Sequence, residues 1–315
     1  MLSREEVYSR IERGFCGLAG PNTDIFVDTN MLFPPKGSAA ESMRKGCGPI
    51  LAGYISLMTF REVSEEKNPV ACMETADRIM DFSEDYFHHL EGFVEGGPVY
   101  IIPQVDREVR GLQKTFERDC FRWVKSIGDF DERLKKKLLR LGKYQNEYVQ
   151  KLIKNGGLLD KAKNERHWRP DKSMLEDIYD IYNYLRISTD VNHKPNISIG
   201  QGHADEAIIA SAFADSIRNG KMVKILSSDT DITEGVENLF EHAMSGSGPR
   251  VLQSKINDLS ESYTSVGVYF MGTIGDVLRV TNTADIARGD KSLDVIRRKR
   301  EEVRKNKLKE CKGGR

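Results

Sequence analysis

Three aspartates stand where carboxylate chemistry is easiest to assemble. Asp28 closes the run Asp24-Ile25-Phe26-Val27-Asp28, and Asp229 closes Val223-Lys224-Ile225-Leu226-Ser227-Ser228-Asp229. Asp205 heads the run Ala204-Asp205-Glu206-Ala207-Ile208-Ile209-Ala210. The first two read as strands buried on both faces, as in a parallel sheet. The third reads as the first turn of a helix, where the backbone amides favour a negative side chain. In parallel α/β sheets, ligands bind just beyond the carboxyl ends of the strands. One aspartate so placed is commonly a turn former or a cap. Three of them converging would repel unless a cation sits between them. Oxygen-only ligands suit Mg²⁺ or Mn²⁺ rather than zinc. Asp231 is a further acid on the same loop, and Ser227 and Ser228 could hydrogen-bond a carboxylate. His203, two residues before Asp205, reads more readily as a loop or cap residue than as a ligand.

The elements that must position these acids follow from the apolar pattern. Besides 24–28, apolar runs at Tyr54–Leu57, Val99–Ile102, Met222–Leu226 and Val266–Met271 predict strands. Helical patterns at Ala39–Leu51, Ala71–Val94 and Asp205–Ile217 lie between them. That alternation predicts an α/β fold with a parallel central sheet and helices on both faces. The segment before it, residues 1–23, predicts an amphipathic N-terminal helix. Between 112 and 189 the character changes: Leu134, Leu138, Leu141, Tyr144, Tyr148 and Leu152 fall three or four apart in a Lys/Arg-rich stretch. This predicts an inserted basic helical subdomain. The sheet domain is then discontinuous, 24–111 and 190–287, and 288–315 is a charged tail.

The formal net charge is zero, with 48 Lys/Arg against 48 Asp/Glu, but the charges are partitioned. Residues 107–169 hold 18 basic and 9 acidic side chains, and 288–315 hold 12 and 5. Two basic regions on an acidic body suit a protein that gathers metal with carboxylates and phosphate with Lys/Arg. The densest cluster is Arg133, Lys135, Lys136, Lys137, Arg140 and Lys143. It is the expected nucleic-acid grip, although charge runs are equally often solvated helix faces. No apolar stretch is long enough for a membrane span. The five cysteines are odd in number and scattered with no Cys-x-x-Cys pair, so neither a cysteine zinc site nor a disulfide framework is indicated. A reducing, cytoplasmic setting fits best, and a homo-oligomer is compatible with the sequence.

At three places the residues resemble the PIN-domain (PilT N-terminus-like) ribonucleases. Phe26-Val27-Asp28-Thr29-Asn30 resembles that family's opening strand. Ala204-Asp205-Glu206-Ala207-Ile208-Ile209-Ala210-Ser211-Ala212 and Ile225-Leu226-Ser227-Ser228-Asp229-Thr230-Asp231 resemble its later acidic motifs. The likeness covers roughly 24–111 and 190–275, not the insertion or the tail. It implies a three-layer Rossmann-like sheet, a cluster of acids holding Mg²⁺ or Mn²⁺, and hydrolysis of RNA phosphodiesters. It also implies Thr29 and Asn30 as residues that orient Asp28, and Asp231 as an added ligand. The family's further Glu, on the helix after its second strand, has two candidates. Glu62 follows Ile55-Ser56-Leu57-Met58-Thr59-Phe60-Arg61, and Glu108 follows Ile101-Ile102-Pro103-Gln104-Val105-Asp106-Arg107. The gap of 34 residues from Asp28 favours Glu62 over the gap of 80 to Glu108, which stays as the alternative.

The expected function is therefore a Mg²⁺- or Mn²⁺-dependent nuclease acting on RNA in processing or decay, through Asp28, Glu62, Asp205 and Asp229. DNA is a second candidate substrate. Two rivals are a PIN-like module that binds RNA without cutting it and the toxin nuclease of a toxin–antitoxin pair. A small-molecule phosphohydrolase of the haloacid dehalogenase type is disfavoured, because Asn30 stands where a second Asp would be needed.

Overall fold

Continuous apolar runs dictate the middle of the molecule. The computed structural model describes residues 4–32, 88–97, 99–110, 170–192, 204–227, 230–271 and 277–289, with 136, 147, 150, 151 and 154 as single positions. Within them five strands form one sheet in the order β2-β1-β3-β4-β5. These are β1 (Thr23–Val27), β2 (Val99–Tyr100), β3 (Met222–Leu226), β4 (Val266–Met271) and β5 (Val277–Asn282). β1 pairs in parallel with β2 and β3, and β3 with β4. Only β5 is antiparallel, with an irregularity at Val268/Tyr269 of β4. All five residues of β1 are buried, as a central parallel strand covered on both faces requires. The architecture is α/β with a mixed, mostly parallel sheet.

The helices are, in order, α1 (Arg4–Leu18), α2 (Thr29–Leu32), α3 (88–96), α4 (103–110), α5 (Lys172–Asn192), α6 (Ala204–Asn219) and α7 (Thr230–Met244). Three short ones follow: α8 (Arg250–Gln253), α9 (Ile256–Leu259) and α10 (Thr283–Ala287). The expected N-terminal helix is present as α1. Ile11, Phe15 and Leu18 form its buried stripe, and each such side chain stabilises the fold by about 1.5–3 kcal/mol. Phe15 stacks on Phe93 of α3 with ring centroids 4.7 Å apart. The α1 carboxyl end is tied to the sheet by Lys224, whose Nζ donates to the Leu18 carbonyl at 2.8 Å.

α6 is buried along most of its length, and its many alanines let it pack closely against both α5 and β3. Gly220, with φ of +61°, ends it in the left-handed conformation that glycine adopts without steric cost. α7 presents Ile232, Val236, Leu239, Phe240 and Ala243 at helical spacing to the core. Its Gly235 is where α6 approaches, since a Cβ there would stand 2.6 Å from Ile209 Cδ1.

β3 and β4 match the predicted strands to the residue, whereas β5 and α7 were not anticipated. α5 falls mostly in the segment expected as a separate insertion. Its Ile181 and Leu185 nevertheless belong to the same buried cluster as the sheet. The predicted strand Tyr54–Leu57, the helix Ala39–Leu51, the first part of Ala71–Val94, nearly all of 112–169 and the tail after 289 lie outside the described residues.

Candidate functional site

Four parallel strands bring their carboxyl ends to one edge of the sheet, and chain direction alone places the acids there. Asp28 follows β1 directly. Its amide donates to the Leu226 carbonyl of β3 at 3.0 Å, so the ladder reaches the carboxylate itself. Ser227 in turn donates its amide to the Tyr269 carbonyl of β4 at 3.0 Å. Asp28 and Ser227 thus stand side by side at the ends of neighbouring strands, both buried.

The Asp28 carboxylate is held from two directions. Oδ1 accepts a hydrogen bond from the Thr29 amide at 2.6 Å, and Oδ2 accepts one from Ser227 Oγ at 2.6 Å. Both are neutral donors, and together they fix the orientation of the carboxylate. A carboxylate offers about four lone-pair positions, so such bonds are compatible with cation coordination.

Thr29 also reaches sideways. Its Oγ1 donates to Glu108 Oε2 at 2.7 Å. Glu108 lies on α4, which begins just after β2, and β2 is the strand paired to β1 on the side away from β3. One threonine therefore contacts two acids that are 80 residues apart in the chain. Asp106, on the same helix, forms an ion pair with Arg110 at 2.9 Å.

Asp205 stands in the first turn of α6. That helix turns at Gly220 straight into β3 and packs on it, so the two run in opposite directions. From Asp205 to Asn219 the helix rises about 21 Å, while five strand residues span about 16 Å. The first turn of α6 therefore extends to or beyond the carboxyl edge of β3. Asp205 and Glu206 in that turn are both half-buried.

The remaining candidates divide by where they lie. Asp231 is exposed in the first turn of α7. Of Asn30, only the backbone, in α2, is described. Glu62, His203, Ser228 and Asp229 lie outside the described residues, as do Arg133, Lys135, Lys137, Arg140 and Lys143; Lys136 is helical and exposed. Among the described residues no three His, Cys, Asp or Glu side chains form a metal-holding group. Asp28, Glu108 and Asp205 are all described, and they do not form such a group by themselves; Asp229 lies outside the described residues. No helix among the described residues is long and apolar enough to cross a membrane.

The contact between Thr29 and Glu108 could not be read from sequence spacing, because it depends on which strand lies beside β1. Searches of protein-family models, curated proteins and solved structures returned no match to this chain.

Proposed function

We propose that the chain is a divalent-metal-dependent nuclease of PIN type, with a three-layer Rossmann-like core, cutting RNA phosphodiesters. The observation that carries the reading is the Asp28–Thr29–Glu108 arrangement at the carboxyl edge of a parallel sheet. Two acids from separate elements meet on one threonine, and the direction of α6 supports Asp205 as a further ligand from the same side. The donor set, all carboxylate and hydroxyl oxygen, fits Mg²⁺ or Mn²⁺. Asp28, Glu108, Asp205 and Asp229 would hold the ion, with Asp231 at the rim.

When bound, the ion supplies a Lewis acid that acidifies water and offsets charge on the reacting phosphate. The chain's own contribution is orientation. Ser227 and the Thr29 amide lock the Asp28 carboxylate, and Thr29 Oγ1 holds Glu108 beside it. Pre-set ligands lose little freedom when the charged complex forms, which is how supporting hydrogen bonds sharpen a metal site. The choice between Glu108 and Glu62 rests on the Thr29 contact, which outweighs the argument from chain spacing. The basic segment around Arg133–Lys143 and the tail would add phosphate contacts without sequence readout.

The test is cleavage of a single-stranded RNA with Mn²⁺ or Mg²⁺ present and after chelation. Asp28→Asn should abolish metal-dependent cleavage while leaving the fold and RNA binding in place. Binding without cleavage by the wild-type chain under every metal condition would point instead to a PIN-like module that does not cut.

A further inference from the structure

One side of α5 packs on the rest of the protein, and the other carries apolar side chains that nothing among the described residues covers. Met174, Ile181 and Leu185 form the buried stripe. Leu175 is 52% exposed, and Tyr179 and Ile187 are each 68% exposed. Helical geometry puts these three within about a third of the circumference. A single exposed apolar side chain is ordinary, whereas three gathered on one helix face make a patch of the kind that takes a partner. Glu176 and Asp180 are exposed on the same side and make its middle acidic, with Lys172 and Arg186 towards the two ends.

The chain itself holds a matching element. Leu134, Leu138, Leu141, Tyr144, Tyr148 and Leu152 form an apolar stripe at helical spacing in a basic segment. Lys136, Glu147, Gln150 and Lys151 of that segment are helical, and all four are exposed. Their positions fall on one helix face, about 130° round from the apolar stripe. The exposed face and the apolar stripe are therefore different sides of the segment. From Leu134 to Leu152 a helix rises about 27 Å, close to the roughly 30 Å of α5. Lys154 lies in a bend, Asn155-Gly156-Gly157 supplies a turn, and the chain then leads on to α5 at Lys172. We infer that residues 134–152 lie along the open side of α5, with their apolar stripe on Leu175, Tyr179 and Ile187 and their basic margin towards Glu176 and Asp180. A second copy of the chain suits this face less well. Three side chains on one helix offer little of the roughly 1,200–2,000 Å² that a stable association buries, while a tethered segment is present at about millimolar effective concentration. An isolated helix of this length is marginal in water, so the contact is what would give the segment its order. Docked in this way, it holds Lys136 and Lys151 outward on a fixed support. The contact is independent of the metal site.

Amide hydrogen exchange of the full-length chain, read by mass spectrometry, tests the contact. Peptides from 134–152 should be protected in the wild type. Leu175→Lys with Tyr179→Lys should speed their exchange by about tenfold or more, while β1 and β3 keep their protection. Leu175→Met with Tyr179→Phe keeps the face apolar and should keep the segment protected. A wild-type segment that exchanges freely would overturn the inference, and so would protection that the lysine pair leaves unchanged. An equal loss in the conservative pair would also overturn it, since apolar contact would not then be what was removed. Sedimentation of the same samples decides between occupants. The mass should match between the wild type and the lysine variant at every concentration, and a wild-type dimer that the variant dissociates would assign the face to a second copy instead.

Discussion

The two edges of the sheet each bury an aspartate of the β1 region, and they treat it differently. At the amino edge, Asp24 meets the Lys221 ammonium at 2.9 Å, a direct charge pair. At the carboxyl edge, Asp28 meets a backbone amide and the Ser227 hydroxyl. A cation supplied by the chain neutralises an acid and makes it structural. Neutral donors orient an acid without themselves supplying a countercharge. Asp24, within β1, is thus paired to a cation of the chain, and Asp28, directly after β1, is oriented by two neutral donors; the second is the one we propose for chemistry.

The sharpest way to break this comparison is to alter the two acids in parallel. Asp28→Asn should lower metal-dependent cleavage by more than a hundredfold, a larger loss than removal of a supporting hydrogen bond produces, with little change in thermal stability. Asp24→Asn should do the reverse, with cleavage at wild-type level and a lower midpoint in denaturant. Equal effects on cleavage from both would erase the distinction between the edges.

Ser227→Ala sharpens the carboxyl edge. It removes one of the two bonds holding Asp28 and should reduce activity or metal affinity by about 10–100-fold, with excess metal restoring part of the rate. Loss of activity that metal does not restore would mean that Ser227 does something other than orient Asp28. Glu108→Gln and Glu62→Gln, assayed together, should give a large loss only for Glu108.

The amino edge is sharpened by its two lysines, whose titrations have opposite signs. Hydrogen bonding to Asp24 raises the Lys221 pKa above its usual value. Its contribution is present in full below the unfolded pKa and is lost as pH rises through the folded one. Burial lowers the Lys224 pKa. Its charge therefore costs stability at neutral pH, and the cost is relieved as pH rises from the folded towards the unfolded pKa. Lys221→Met should lose about 1–2 kcal/mol at neutral pH, because it leaves Asp24 buried without its ammonium partner. It should also flatten the decline in stability at strongly alkaline pH. Lys224→Met should flatten the rise at moderately alkaline pH. Denaturant melts across that range read both, and slopes of the same sign would contradict the account.

Much of this could be read in the sequence, for physical reasons that differ by element. β3 and β4 are unbroken apolar runs between polar residues, and a strand buried on both faces leaves no other signature. β5 was missed because Val277-Leu278-Arg279-Val280-Thr281-Asn282 mixes polar and apolar residues and so lacks the unbroken apolar run of β3 and β4, and its polar Thr281 and Asn282 are buried all the same. Asp28 and Asp205 were legible from their places at the end of a strand and the head of a helix. The contact between Thr29 and Glu108 was not, because it depends on sheet order, which places the helix of Glu108 beside β1.

The most direct test of the central claim is a Mn²⁺ titration followed by electron paramagnetic resonance on full-length protein. The wild-type chain and Lys221→Met should both bind the ion, and Asp28→Asn and Glu108→Gln should lose most of that binding while remaining folded. Undiminished Mn²⁺ binding by Asp28→Asn and Glu108→Gln would contradict the assignment of the carboxyl edge as a metal site.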